Sequence, residues 1–175
     1  MAELTTALNI LSTFALIGAL AFTGLQVRTA NRVRAEQAAL SIIHAIQTDE
    51  WARNLNMLTR IPPGATAGEI DALGPEIKEA LELYGMRLET IGYMVFRGFV
   101  SLETMDQLLG GITVIMWLRI KPWVERDRER TTSPRQYEWF QWLAERLEDA
   151  HTREHVVPAF IRHAGWKQSD ARPAT

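Results

Sequence analysis

The stretch "GPEIKEALELYGMRLETIGYMVFRG", Gly74 to Gly98, decides the fold class. Its apolar residues Ile77, Leu81, Tyr84, Leu88, Ile91 and Val95 recur at alternating steps of four and three, which on an α-helix brings them to one face. Gly74 and Pro75 suit the start, because a proline in the first helical position has no N–H to leave unsatisfied and its φ is already helical. Gly98 suits the end, where a left-handed residue closes the last turn most easily. The spacing predicts a long amphipathic helix whose apolar face needs partners.

Working outward, the same period continues. Toward the C-terminus Ser101 is a good N-cap for a helix with Met105, Leu108, Ile112, Ile115 and Met116 as apolar positions, and Pro122 is predicted to kink or stop it. Within it, the pair Gly110 and Gly111 is expected to allow close helix contact. The run "ERDRER", Glu125 to Arg130, has no net charge and reads as a solvated helix end linked by i,i+4 pairs, not as a phosphate grip. After the turn "TTSPR" a last helix is predicted over 136–156, presenting Phe140, Leu143, Leu147 and Ala150, with Pro158 ending it; "KQSDARPAT" has the composition of a frayed tail. Toward the N-terminus, "IPPGATAG" holds two prolines and two glycines and is the clearest break, so 61–74 is read as a loop. Before it, Thr48 or Asp49 caps a short helix through about Arg60, and 29–47 places Ala39, Ile42, Ile43 and Ile46 on one face. No stretch alternates apolar and polar residues and no Asn-Gly or Asp-Gly turn occurs, so no sheet is expected. The expected fold is all-α.

The N-terminus adds a different signal. From Leu4 to Val27, "LTTALNILSTFALIGALAFTGLQV", there is no charge. As a helix this run covers roughly 36 Å, enough to cross a ~30 Å hydrocarbon core with some tilt. A secretory signal peptide begins with a basic region, whereas only Glu3 precedes this run, so an anchor is expected. Arg28, Arg32 and Arg34 follow it directly, which by the positive-inside rule puts the N-terminus outside and the remainder in the cytoplasm, the setting of a bacterial inner membrane protein. Ala15, Ala19 and Thr23, with Gly18 beside them, form a small-residue stripe that could admit a partner helix.

Taken in order, "YGMRLETIGYMVFRGFVS", "LLGGITVIMWLRIKPWVERDRER" and "PRQYEWFQWLAERLED", behind an apolar span with an arginine flank, resemble the small bacterial membrane-anchored proteins grouped as domain-of-unknown-function family 4760. The likeness covers roughly residues 4–148 and lies in aromatic and glycine landmarks. It implies the architecture and no activity, ligand or catalytic residue. The expected organisation is a transmembrane helix over 4–27, juxtamembrane helices over 28–60, a loop over 61–74, a helical cytoplasmic domain over 75–157 and a C-terminal extension over 158–175.

Composition excludes more chemistry than it suggests. With 175 residues the chain has a single-domain length, its formal net charge of -2 gives no basic field for nucleic acid, and its lack of cysteine removes disulfides and thiolate sites. "HTREH" puts His151 and His155 four apart with Glu154 between, the order found in inverted zinc peptidases, but no credible third ligand follows in the short stretch that remains. These histidines are weak metal candidates. They fit better as cationic groups at a helix C-terminus. His44, between two isoleucines, is expected at a packing edge. No P-loop, dinucleotide fingerprint or nucleophile elbow is present, so no catalytic residue, cofactor or small-molecule substrate is expected. The 6 tryptophans all fall outside the apolar span, and "YEWFQW" is too aromatic for one helix face to bury. Trp139 and Trp142 are therefore expected either between two neighbouring helices or at an interface with a protein or the headgroup layer. The expected function is non-enzymatic: an accessory or stabilising subunit of a larger membrane complex (respiratory, photosynthetic or transport). Its expected contacts are membrane lipid and a membrane-protein partner, through Ala15, Gly18, Ala19, Thr23, Trp139 and Trp142. The alternatives are a membrane-anchored regulatory or signalling adaptor and, more remotely, a metal-dependent hydrolase.

Overall fold

The structure, a computed structural model, describes residues 2–153 and 157–167, with side chains described from 16 onward except at 31, 32, 35, 36, 151 and 153. Among the described residues there are only helices and connections, so the chain is all-α. The first helix, α1, is unbroken over Ala2–Ile46 and joins the apolar run to the stretch after it. Among the described residues no helix is long and apolar enough to cross a membrane. The described apolar part of α1, Leu16 to Val27, extends only roughly 18 Å against the ~30 Å of a hydrocarbon core, and the expected span begins earlier, where side chains lie outside the described set.

Helix α2, Asp49–Leu58, starts at Thr48, whose hydroxyl accepts from the Trp51 N–H. The segment expected to be a plain loop contains a short helix, α3, over Ala67–Ala72. Its signal was the capping box Thr66-x-x-Glu69: the Glu69 N–H bonds the Thr66 hydroxyl while the Glu69 carboxylate accepts from the Thr66 N–H. Ile70, on α3, is buried. Arg119 fastens the preceding loop by donating to the carbonyls of Thr59 and Ile61, at 2.7 and 3.0 Å.

Helix α4 covers Pro75–Phe96, and Ile77, Leu81, Tyr84, Leu88, Ile91 and Val95 are all buried, as the spacing predicts. It ends in a Schellman motif: Gly98, at φ 70°, donates to Val95 and Phe99 donates to Met94. Helix α5, Leu102–Thr131, starts at Ser101, which accepts from the Thr104 N–H.

Pro122 does not stop α5. A proline in a helix interior costs about 3 kcal/mol, but Ile120, Trp123 and Val124 on either side are buried, and each such side chain contributes about 1.5–3 kcal/mol. The helix ends ten residues after the expected breaker, at a left-handed Thr132 with φ 52°. Helix α6, Glu138–Arg153, is followed by a single turn, α7, at Ala159–Arg162.

The core lies where α6 packs against both α4 and α5 and where α2 packs on α4. Phe140, Leu143, Ala144 and Leu147 fill it from α6, and Tyr84 is sandwiched by Trp51, at 4.6 Å between ring centroids, and the edge of Phe140, at 5.9 Å. Close approach of α4 and α6 depends on two glycines. A Cβ on Gly92 would lie 2.2 Å from the Trp139 carbonyl oxygen, and one on Gly85 would lie 2.7 Å from the Tyr137 ring. The expected close contact at Gly110 and Gly111 is corrected in part: Gly110 is buried, but a Cβ on Gly111 would meet nothing.

Candidate functional site

Three features were singled out by sequence. The metal motif falls outside the described residues, at the side chain of His151 and at His155 itself. Among the described residues no group of three or more His, Cys, Asp or Glu is placed to hold a metal ion. His44 is exposed, so the packing-edge expectation is corrected: Ile42, two residues earlier, turns into the core instead. Of the small-residue stripe, Ala15 lies outside the described side chains, while Gly18, Ala19 and Thr23 are exposed. The Thr23 hydroxyl donates to the Ala19 carbonyl at 2.8 Å, which uses its hydrogen inside the helix and leaves an outward face of small groups.

The third feature, "YEWFQW", forms the most developed surface. Tyr137 is not part of α6. It precedes the helix at φ 55°, which takes its ring off the helical wheel and buries it against Gly85. Trp139 and Trp142 are half-buried and pack on Phe96 of α4, at 4.5 and 5.7 Å between ring centroids, with Tyr93 at 5.6 Å from Trp139. Phe96 and Tyr93 remain exposed. The result is an aromatic ledge along the α4–α6 seam. Arg97 borders it, donating to the Tyr93 hydroxyl at 2.7 Å and lying 5.7 Å from the centroids of both Tyr93 and Phe99. The ledge is positioned by Glu89, whose Oε2 accepts from the N–H groups of Trp139 and Phe140, at 2.9 Å each, so α4 caps the first turn of α6. Burial raises the Glu89 pKa above its usual value, and the two N–H bonds pull against that rise.

"ERDRER" is corrected in part: Glu125 and Glu129 stay exposed, whereas Arg126, Asp127, Arg128 and Arg130 join a polar junction. Arg126 reaches Asp71 with both terminal guanidinium nitrogens, at 2.6 and 3.1 Å, while Trp123 Nε1 donates to the same carboxylate at 3.0 Å. Asp127 is buried and accepts from Arg130 and Gln136. Arg128 donates to the Gln136 carbonyl and the Gln141 side chain. Burial pushes the Asp127 pKa up, but the hydrogen bonds from Arg130 and Gln136 outweigh it and leave it lowered; Asp71 is lowered mainly by Arg126. Asp71, Trp123, Arg126, Asp127 and Arg130 line a cavity of about 490 Å³ with Lys78 and Gly74. Its carboxylates and arginines are committed to one another, an arrangement that ties α3, α5 and the turn before α6 together. Sequence reasoning missed the junction because Asp71 and Gln136 reach it only through the tertiary fold.

No curated protein and no solved structure matches the chain. The model of one family, described as a domain of unknown function (DUF4760), matches residues 10–147, from within α1 through the buried face of α6. That match takes in the paired glycine contacts, the aromatic ledge and the polar junction, and the chain therefore belongs to the DUF4760 family.

Proposed function

We propose that this protein is a non-enzymatic, membrane-anchored accessory subunit: α1 enters the bilayer through residues 4–27 and the helical domain docks onto a larger membrane complex through the aromatic ledge. One observation carries the reading. Leu16, Ile17, Leu20, Phe22, Leu25 and Val27 are all exposed, Leu20 at 66% and Phe22 at 62%, and at 100° per residue they cover about two thirds of the circumference of α1, the remaining sector holding Ala19, Thr23 and Gln26. An apolar surface this wide is not satisfied by one docking face, and lipid is the surrounding that covers it on all its sides. The exposed Arg28 and Arg34 just beyond the run suit the cytoplasmic headgroup layer. A non-enzymatic role is supported by the mutual pairing of the charged groups around the polar cavity.

The test is native extraction in mild detergent. The protein should resist alkaline washing of membranes, and Leu20→Arg should release it. Trp139→Ala with Trp142→Ala should leave it in the membrane and strip the co-purifying partner. Retention of every partner by that double variant would overturn the docking role of the ledge.

A further inference from the structure

The relative direction of the helices places one end of the bundle toward the apolar part of α1. Helices α4 and α6 run parallel: Tyr137 meets Gly85, the Trp139 and Phe140 N–H groups meet Glu89, the Trp139 carbonyl meets Gly92, and Trp142 meets Phe96. The chain leaving α1 runs the opposite way along α4. Ser41 and Ile42 share a groove with Ile91 and Met94, the Ala45 carbonyl accepts from Arg87, Glu50 pairs with Arg87, and Trp51 stacks on Tyr84. Following α1 back from Ile42 to Val27 therefore leads, over roughly 22 Å, in the direction in which α4 and α6 end. Helix α6 continues from Trp142 to Arg153, roughly 16 Å past the level of Phe96, so its end comes close to the level of Val27.

Beyond that end lies an exposed segment that the ledge does not explain. Val157, Phe160, Ile161 and Trp166 are all exposed, Phe160 at 77%, and no core residue comes from this stretch. Over residues 157–167 the charged side chains are Arg162 and Lys167, with no acidic residue. The connection from Arg153 to Val157 spans at most ~14 Å, which keeps the segment at this end of the bundle. Phe99 is exposed there too, but Glu103 and Asp106 follow it on α5, so the charge pattern distinguishes 157–167.

We propose that residues 157–167 form a second membrane contact, with Phe160, Ile161 and Trp166 in the headgroup–acyl boundary and Arg162 and Lys167 on the phosphates of anionic lipid. This rests on the anchor reading of α1, which brings the bilayer to this end of the bundle. Aromatic and aliphatic groups beside basic ones, without acids, are the composition of interfacial segments. Charge complementarity favours anionic lipid over a second protein surface.

The absence of cysteine makes the test direct. Spin labels on L20C, F160C and P63C, each in the full chain in vesicles of phosphatidylcholine and phosphatidylglycerol, report depth through accessibility to oxygen against a water-soluble nickel chelate. Position 160 should gain oxygen over nickel accessibility relative to position 63, at a depth shallower than position 20. Arg162→Glu with Lys167→Glu should abolish that gain and leave position 20 deep. A label at 160 as aqueous as the one at 63, with position 20 deep, overturns the second contact and leaves the anchor standing. Position 20 outside the bilayer overturns both. Shielding of position 160 in native membranes but not in vesicles assigns the segment to a protein partner and likewise overturns the lipid contact.

Discussion

Replacing Gly92 by alanine tests the packing that sets the ledge. The added Cβ would lie 2.2 Å from the Trp139 carbonyl oxygen, 2.7 Å from its carbon and 3.1 Å from the Trp139 Cβ. Backbone atoms cannot rotate away, so α4 and α6 must separate by about 1 Å to restore ordinary contact, loosening a close-packed seam. Overpacking of this kind costs about 3 kcal/mol at the upper end of its usual range. Alanine regains about 1 kcal/mol of helix propensity, leaving a net loss of about 2 kcal/mol. For a chain of this size that lowers Tm by about 4–8 °C. Gly111→Ala is the control, because its Cβ meets nothing within 4 Å; there the propensity gain stands alone and Tm should rise by about 2–4 °C. Thermal unfolding followed by circular dichroism reads both. If Gly92→Ala is as stable as the parent, the helices are not held at the distance described and the reasoning fails.

Other outcomes follow from single side chains. Thr113 is fully buried with no hydrogen-bond partner for its hydroxyl, so Thr113→Val should stabilise by about 1 kcal/mol, raising the denaturation midpoint; a lower midpoint would reveal a missed partner. Tyr84→Phe should be neutral or stabilising in the same assay, since the Tyr84 hydroxyl is also buried without a partner. Glu89 has a folded pKa raised above 4.5, so its contribution to stability is fully present below the unfolded value and is lost as pH rises through the folded one. Glu89→Gln keeps an acceptor for the two N–H groups and should flatten that part of the stability–pH curve, whereas Glu89→Ala removes the cap and should cost about 1 kcal/mol. Asp127 has the opposite sign: its lowered pKa contributes stability above 3.8 that disappears as pH falls through the folded value, and Asp127→Asn should reduce the acid-induced loss in a pH titration of unfolding.

Local pattern was enough to read the face of α4, the cap at Ser101 and the glycine end at Gly98, and to narrow the cap of α2 to Thr48 or Asp49, because each depends on residues within one or two turns. The stop expected as one outcome at Pro122 does not occur, because the burial that overrides its local cost comes from packing partners distant in sequence. The capping box at Thr66 was a local signal, but two prolines and two glycines around it drew the reading toward a loop. The ledge was half legible: an excess of aromatic area in "YEWFQW" was visible, whereas Phe96 and Tyr93 belong to a helix more than forty residues earlier. The glycines that matter, Gly85 and Gly92, carry no mark in the sequence that distinguishes them from Gly111. Their role appears only when another backbone lies against them.

The cap that α4 places on α6 bears on the order in which the protein assembles. The N–H groups of Trp139 and Phe140 are satisfied by Glu89, from a carboxylate 50 and 51 positions away, not by a neighbour in the chain. A peptide of 138–153 on its own lacks that acceptor and is of a length at which isolated helices are marginal in water. Ordering of α6 is therefore coupled to its packing on α4. During synthesis the aromatic ledge cannot exist as a local structure; it requires α4 to be in place beside the last long helix.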